Sequence, residues 1–240
     1  MMNEGIKEAV QYLVGLGKDK YIKEDLFGAT YTNENLRRIE TPMASPIETT
    51  TLTSIVDYIK SNIDGVQSNA IIVYIESFEK VSLKSELNGD RRRETLMISN
   101  ALTPRVTIDN FIDTEKFNIM LQSSFVENKD RSLLLKVTGN IQEENIKQIG
   151  DDGVSQAATV RSGIATVTDV KVPNPVILAP YRSFPEIEQV ESKFIFRLQN
   201  GPKAALISAD GGAWMNESMN RIKKFFMEEL KDIENVKIIS

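Results

Sequence analysis

The sequence contains no cysteine and no histidine. Without thiols there are no disulfides, no thiolate nucleophiles and no sulfur-ligated metal sites. Without imidazoles the usual general base, the common form of the serine triad and most zinc or haem ligation are gone. Long apolar runs are missing too: none approaches the roughly 20 residues that a membrane-spanning helix needs, so no membrane partner is expected. The N-terminus shows no basic leader with an apolar core, and we expect a soluble, intracellular chain. Positive charge is not in excess either. With 29 basic against 34 acidic residues the net charge is −5, which argues against a dominant electrostatic grip on nucleic acid.

What remains is a chain of 240 residues, 41% hydrophobic and 26% charged. That is enough for one large domain or two small ones with a sizeable core. No period of about 20–50 residues recurs, so a solenoid is excluded. Helical and strand patterns mix without regular alternation, which favours an α+β class over a doubly wound parallel sheet. The expected architecture is a mainly antiparallel sheet with three flanking helices over residues 46–240, preceded over residues 1–45 by an N-terminal helix and an extended arm.

The first helix follows Asn3, a candidate cap, and carries Ile6, Val10, Leu13 and Val14 at helical spacing before Gly15 and Gly17 end it. From Lys18 to Pro46 periodicity fades into a connecting arm. A second helix, capped by Thr51 or Thr53, shows Leu52, Ile55, Val56, Ile59 and Ile63 on one face and closes at Gly65. Ala70–Glu76 reads as a strand, paired with Val81, Leu83 and Leu87, and Thr95–Ile98 follows the turn at Asn88-Gly89-Asp90. Thr107–Phe125 reads as a helix, capped by Asp109 or Asp113 with Phe117, Met120, Leu121 and Phe125 inward. Leu133–Thr138 reads as a strand, and β pattern continues through Ile149 and Ala157–Val170, with a turn at Asp151-Asp152-Gly153. Prolines confine Val176–Ala179 to a short or edge strand. Lys193–Leu198 pairs with Ala204–Ala209, and a last helix from Trp214 buries Met215, Met219, Ile222, Phe226 and Leu230 before a short strand, Val236–Ile239.

Each candidate for chemistry meets a plainer explanation. Gly211-Gly212 between a strand and a helix resembles a phosphate loop, but no Lys-Ser or Lys-Thr follows and Asp210 can cap the turn. Arg91, Arg92 and Arg93 are the one basic run, a candidate contact for an anion or partner; nearby acids make a solvated turn the default. Glu143, Glu144, Asp151 and Asp152 fit no calcium-loop spacing, and a charged strand edge explains them better. Ser77–Lys80 spells S-x-x-K without its companion motifs, inside an expected turn. Trp214 is better placed as a core or interface anchor than as a stacking platform. We therefore assign no catalytic residue, cofactor or metal from the sequence.

The run GDDGVSQAATVRSGIATVTDVKVPNPVILAPYRSFPEIEQVESKFIFRLQNGPKAALISADGGAW, Gly150–Trp214, resembles proteins encoded in phages of Gram-positive bacteria. Across Thr51–Leu230 the chain is similar to an uncharacterised phage and prophage family, the YfdQ-like group, through the order of its elements: TSIVDYIK, a strand pair, DNFIDTEKFNIML, a polar β run, VPNPVIL, FIFRL and a closing helix. The resemblance implies a phage accessory gene and no activity. The expected function is a non-enzymatic protein that self-assembles and binds a host or phage component, with interference in host defence the role such genes suggest. A nucleic-acid-binding factor for replication or recombination is one alternative, and a metal-dependent nucleotide hydrolase is another. Homo-oligomer contacts are expected from Ile6, Val10, Leu13 and Val14, from Phe194 and Phe196 on exposed strand edges, and from Trp214.

Overall fold

The computed structural model describes residues 4–18, 22–24, 26, 30–32, 38–139, 149–151, 156–162, 166–199 and 201–240. The first periodic segment forms α1 (Glu4–Lys18). It runs through Gly15 and Gly17 instead of ending there, since glycine weakens a helix by about 1 kcal/mol without breaking it. Asn3, the expected cap, lies outside the described residues. The stretch read as an arm has a small sheet of its own: β1 (Ile22–Glu24), β2 (Thr30–Thr32) and β3 (Arg38–Ile39) pair antiparallel in that order.

The first main sheet begins with β4 (Ile47–Thr49), an edge strand the sequence did not announce. Thr51 then caps α2 (Leu52–Lys60), its hydroxyl accepting the Ser54 N–H. Leu52, Ile55, Val56 and Ile59 lie along one line of that helix and are all buried. The helix stops at Lys60, before Gly65, because the Ser61 hydroxyl takes the Asp57 and Tyr58 carbonyls and Asn62 turns left-handed. Ile63 is left exposed as a result. β5 (Ile71–Ser77), β6 (Lys80–Leu87) and β7 (Arg93–Asn100) form the expected antiparallel meander. Val73, Leu83 and Met97 stand opposite one another and join α2 in a buried cluster. Register shifts near the end of β6 turn Leu87 outward, so it is exposed where the alternation predicts burial.

The second sheet starts at β8 (Ile112–Asp113). α3 (Thr114–Ser124) begins at Thr114 and not at Thr107: Asp113 caps it by accepting the Glu115 N–H, while Asp109, at φ +65°, stands in the preceding loop. Leu133–Thr138 is a further correction, since it forms the body of α4 (Lys129–Gly139) and no strand. Three consecutive leucines carry no readable period; Asn128, whose side chain accepts the Arg131 N–H, starts the helix. β9 (Ile149–Asp151), β10 (Gln156–Ser162) and β11 (Thr166–Lys171) make a separate antiparallel three-stranded sheet. The polar segment before Ile149, with Glu143 and Glu144, and the turn residues Asp152 and Gly153 lie outside the described residues. β12 (Val176–Leu178), β13 (Ser192–Gln199) and β14 (Lys203–Ser208) then complete an antiparallel sheet in the order β12-β13-β14-β8.

This order overturns the exposed-edge reading of Phe194 and Phe196. β13 is an interior strand, and both rings are buried with Phe117, Leu121 and Leu134 beneath α3 and α4. The edge of β12 is shielded as well: Asn128 Nδ2 donates to the Ile177 carbonyl at 2.9 Å, and Asp130 Oδ2 accepts the Ile177 N–H at 2.7 Å. Val126 N–H donates to the Ala179 carbonyl just beyond.

α5 (Ala213–Glu229) leads from the end of β14 back to the first sheet, where β15 (Val236–Ile239) joins β5 in parallel. Its inward line is Trp214, Ser218, Ile222 and Phe226; Met215 is exposed, contrary to expectation. Apart from β15 on β5 and β4 on β7, strand pairs in the two main sheets are antiparallel. The chain is thus α+β, and among the described residues four α-helices rather than three flank sheets that each have their own apolar cluster.

Candidate functional site

The segment between β12 and β13 connects the two apolar clusters. It sends Phe184 and Ile187 into the core of the first sheet. Its shape is set by Gln189, a buried amide that accepts the Arg182 and Ser183 N–H groups and donates to the Phe184 and Ile187 carbonyls. The Ser183 hydroxyl donates to the Phe78 carbonyl, tying the segment to the β5–β6 turn. At the start of α2, Glu186 Oε1 accepts the Leu52 and Thr53 N–H groups, an anionic cap from a distant part of the chain.

Held in this way, Arg182 reaches the junction of the sheets. Its guanidinium stacks on Trp214, 3.7 Å from the ring centroid, and Nη2 donates to Ser192 Oγ at 2.6 Å. Phe78 meets the same indole edge-on, with centroids 4.5 Å apart. Burial pulls the guanidinium down to about 10, against the nearby charge of Asp210, so it stays cationic at neutral pH. Partial burial works to raise the Asp210 carboxyl. Hydrogen bonds from Ser192, the Gly212 N–H and Ser208, together with the Arg182 charge, outweigh it and hold the group below its usual range.

Beside this cluster opens a cleft of about 620 Å³. Ile177, Val190, Ala213 and Trp214 give it apolar walls, and Glu191, Lys193, Asp210 and Glu217 line it with charge. Its volume is in the range of small-ligand sites, roughly 300–1,000 Å³. Neither Asp210 nor Arg182 titrates near neutrality, which suits them to fixing a surface and not to moving protons. The depressed Asp210 value has a direct consequence. Its stabilisation is present above the unfolded carboxyl value of about 3.9 and is lost as pH falls through the lower folded value. Denaturation from pH 7 to 2 is therefore expected to show Asp210→Asn less stable than the parent at neutrality, with the gap closing below about pH 3.9.

The structure brings Trp214 into this site as a covered anchor and leaves the other sequence candidates apart. Arg91, Arg92 and Arg93 lie exposed on the β6–β7 turn; Arg92 pairs with Glu40, and Arg93 Nη1 donates to the Ser85 carbonyl. Ser77 Oγ accepts the Glu79 N–H and Lys80 pairs with Glu76 at 3.0 Å, so S-x-x-K is a turn with an ion pair. Gly211 and Gly212 adopt φ of +62° and +80°, and the Gly212 N–H is taken by Asp210, leaving no open phosphate cradle on that donor. Among the described residues no three acidic side chains converge as a metal site, and no helix is long and apolar enough to cross a membrane. Ile6, Val10, Leu13 and Val14 are all exposed on α1, far from the cleft residues in sequence, and belong to neither buried cluster. Sequence reading missed Arg182, Gln189 and Ser192, for which proline-bounded loop text carries no periodic signal. No protein-family model, curated protein or solved structure matches this chain.

Proposed function

We propose that this chain is a non-enzymatic phage accessory protein that assembles with itself through its N-terminal helix and, so assembled, binds a host or phage component. The observation that carries the reading is α1. Ile6 and Leu13 are 54% and 65% exposed, and Val10 and Val14 are each 47% exposed. An isolated helix of about 12–15 residues is marginal in water, so 15 helical residues with a bare apolar line call for a covering surface. The buried Phe194 and Phe196 and the shielded β12 edge take no part, which leaves the helix as the self-association element. The phage assignment draws on the likeness of Gly150–Trp214 to phage-encoded proteins. The non-catalytic assignment draws on a cleft whose strongest charges are fixed in one another's field.

Light scattering tests it. The expected result is a mass that is a multiple of 27.0 kDa at micromolar concentration, reduced to a single chain by Leu13→Asp or by deleting residues 1–45. A sharp monomer that neither change affects would falsify the reading.

A further inference from the structure

The bare face of α1 and the cleft beside Trp214 are chemically complementary. At about 100° per residue, Ile6, Val10, Leu13 and Val14 fall on one side of α1, with Lys7 on the flank of that side and Glu4 and Glu8 behind it. The contact side of the helix is thus apolar with a basic border, and its back is acidic. The cleft has the opposite charge pattern. Ile177, which is 43% exposed, and Ala213 offer apolar wall, and Glu191 and Asp210 are carboxylates of the lining. Glu217 also faces the cleft but shares its charge with Arg221 at 3.0 Å, and Lys193 is the ammonium on the lining. Arg182 is turned into the Trp214 face and Ser192.

We infer that α1 of one copy seats its apolar line in this cleft of a second copy, with Lys7 against the carboxylates of the lining. The inference rests on the self-association proposed above and names the surface that receives the helix. Occupancy covers two apolar surfaces at once, and reciprocal exchange would close the assembly without leaving either exposed.

The absence of native cysteine makes the test direct. Protein carrying Leu13→Cys is mixed with protein carrying Ala213→Cys and oxidised under mild conditions. The expected product is the mixed disulfide, in excess over Leu13→Cys homodimer. Ile177→Ser, which trims the apolar wall without adding a charge beside Asp130, is expected to weaken association about tenfold with an unchanged circular dichroism spectrum. Lys7→Glu is expected to weaken it too, and Glu191→Lys in the same chain to restore it. Oligomers that give mainly Leu13→Cys homodimer overturn the inference while leaving self-association standing, because they show helix against helix. A concentration-independent disulfide within one chain of the double variant overturns it in favour of a helix folded back on its own cleft. A monomer at every concentration removes both.

Discussion

Phe184→Ala is expected to lower the unfolding free energy by about 3–5 kcal/mol. The ring is fully buried, and it belongs to the segment between β12 and β13 while resting in the cluster of the first sheet. Truncation leaves a cavity where that segment is anchored, so both a transfer loss and a void are incurred. Urea denaturation followed by circular dichroism measures the loss. Phe184→Leu, which keeps most of the volume, should recover more than half of it. A loss under about 1 kcal/mol for Phe184→Ala would mean that the ring is not a core residue at all.

Gln189→Leu is the second. The amide is nearly isosteric with leucine, so packing changes little, yet four hydrogen bonds are lost: those of the Arg182 and Ser183 N–H groups and of the Phe184 and Ile187 carbonyls, of which the Phe184 carbonyl keeps the Ile187 N–H. A buried polar group left unmatched costs about 1–3 kcal/mol. Because the four share one loop the losses will not add fully, and a total of about 3–5 kcal/mol is expected from the same principle. The distinguishing measurement is amide hydrogen exchange. The Arg182 and Ser183 amides, protected in the parent by the Gln189 oxygen, should exchange faster at temperatures where the rest of the fold remains protected. If they stay as slow as in the parent, the amide is not what orders this segment. Loss of that order should also release Arg182 from Trp214 and so be visible as a change in the emission of the one tryptophan.

These two residues show where sequence reading stops. Segments with a clean local period were legible: α2 with its Thr51 cap, the meander β5–β7, the β13–β14 pair and α5. The errors came where a local signal competed with a non-local one. Leu133–Thr138 offered β-branched and leucine residues without a period, and a single side chain, Asn128, decided for helix. β4 is three residues long and exists only because β7 accepts it in parallel. Phe194 and Phe196 were read as an edge because nothing in KFIFRL tells which strands will flank it. The candidate site was less legible still. Arg182, Ser192, Asp210 and Trp214 meet because β13 and β14 pair in a register that sets Phe194 opposite Ser208, bringing the start of one strand beside the end of the other. That register is a property of two whole strands and of the turn between them, and no short motif encodes it.

The shield on β12 has a consequence for the order in which the chain is made. Synthesis delivers α4 well before β12, and β12 before its partner β13. When the Val176–Leu178 strand leaves the ribosome, Asn128 and Asp130 have already been translated and are able to engage the Ile177 backbone while the opposite side still awaits β13. Chain order thus allows one of the strand's two sides to be occupied before its sheet partner exists. The template open to a neighbouring nascent chain is narrowed to one side, the side that β13 arrives to fill.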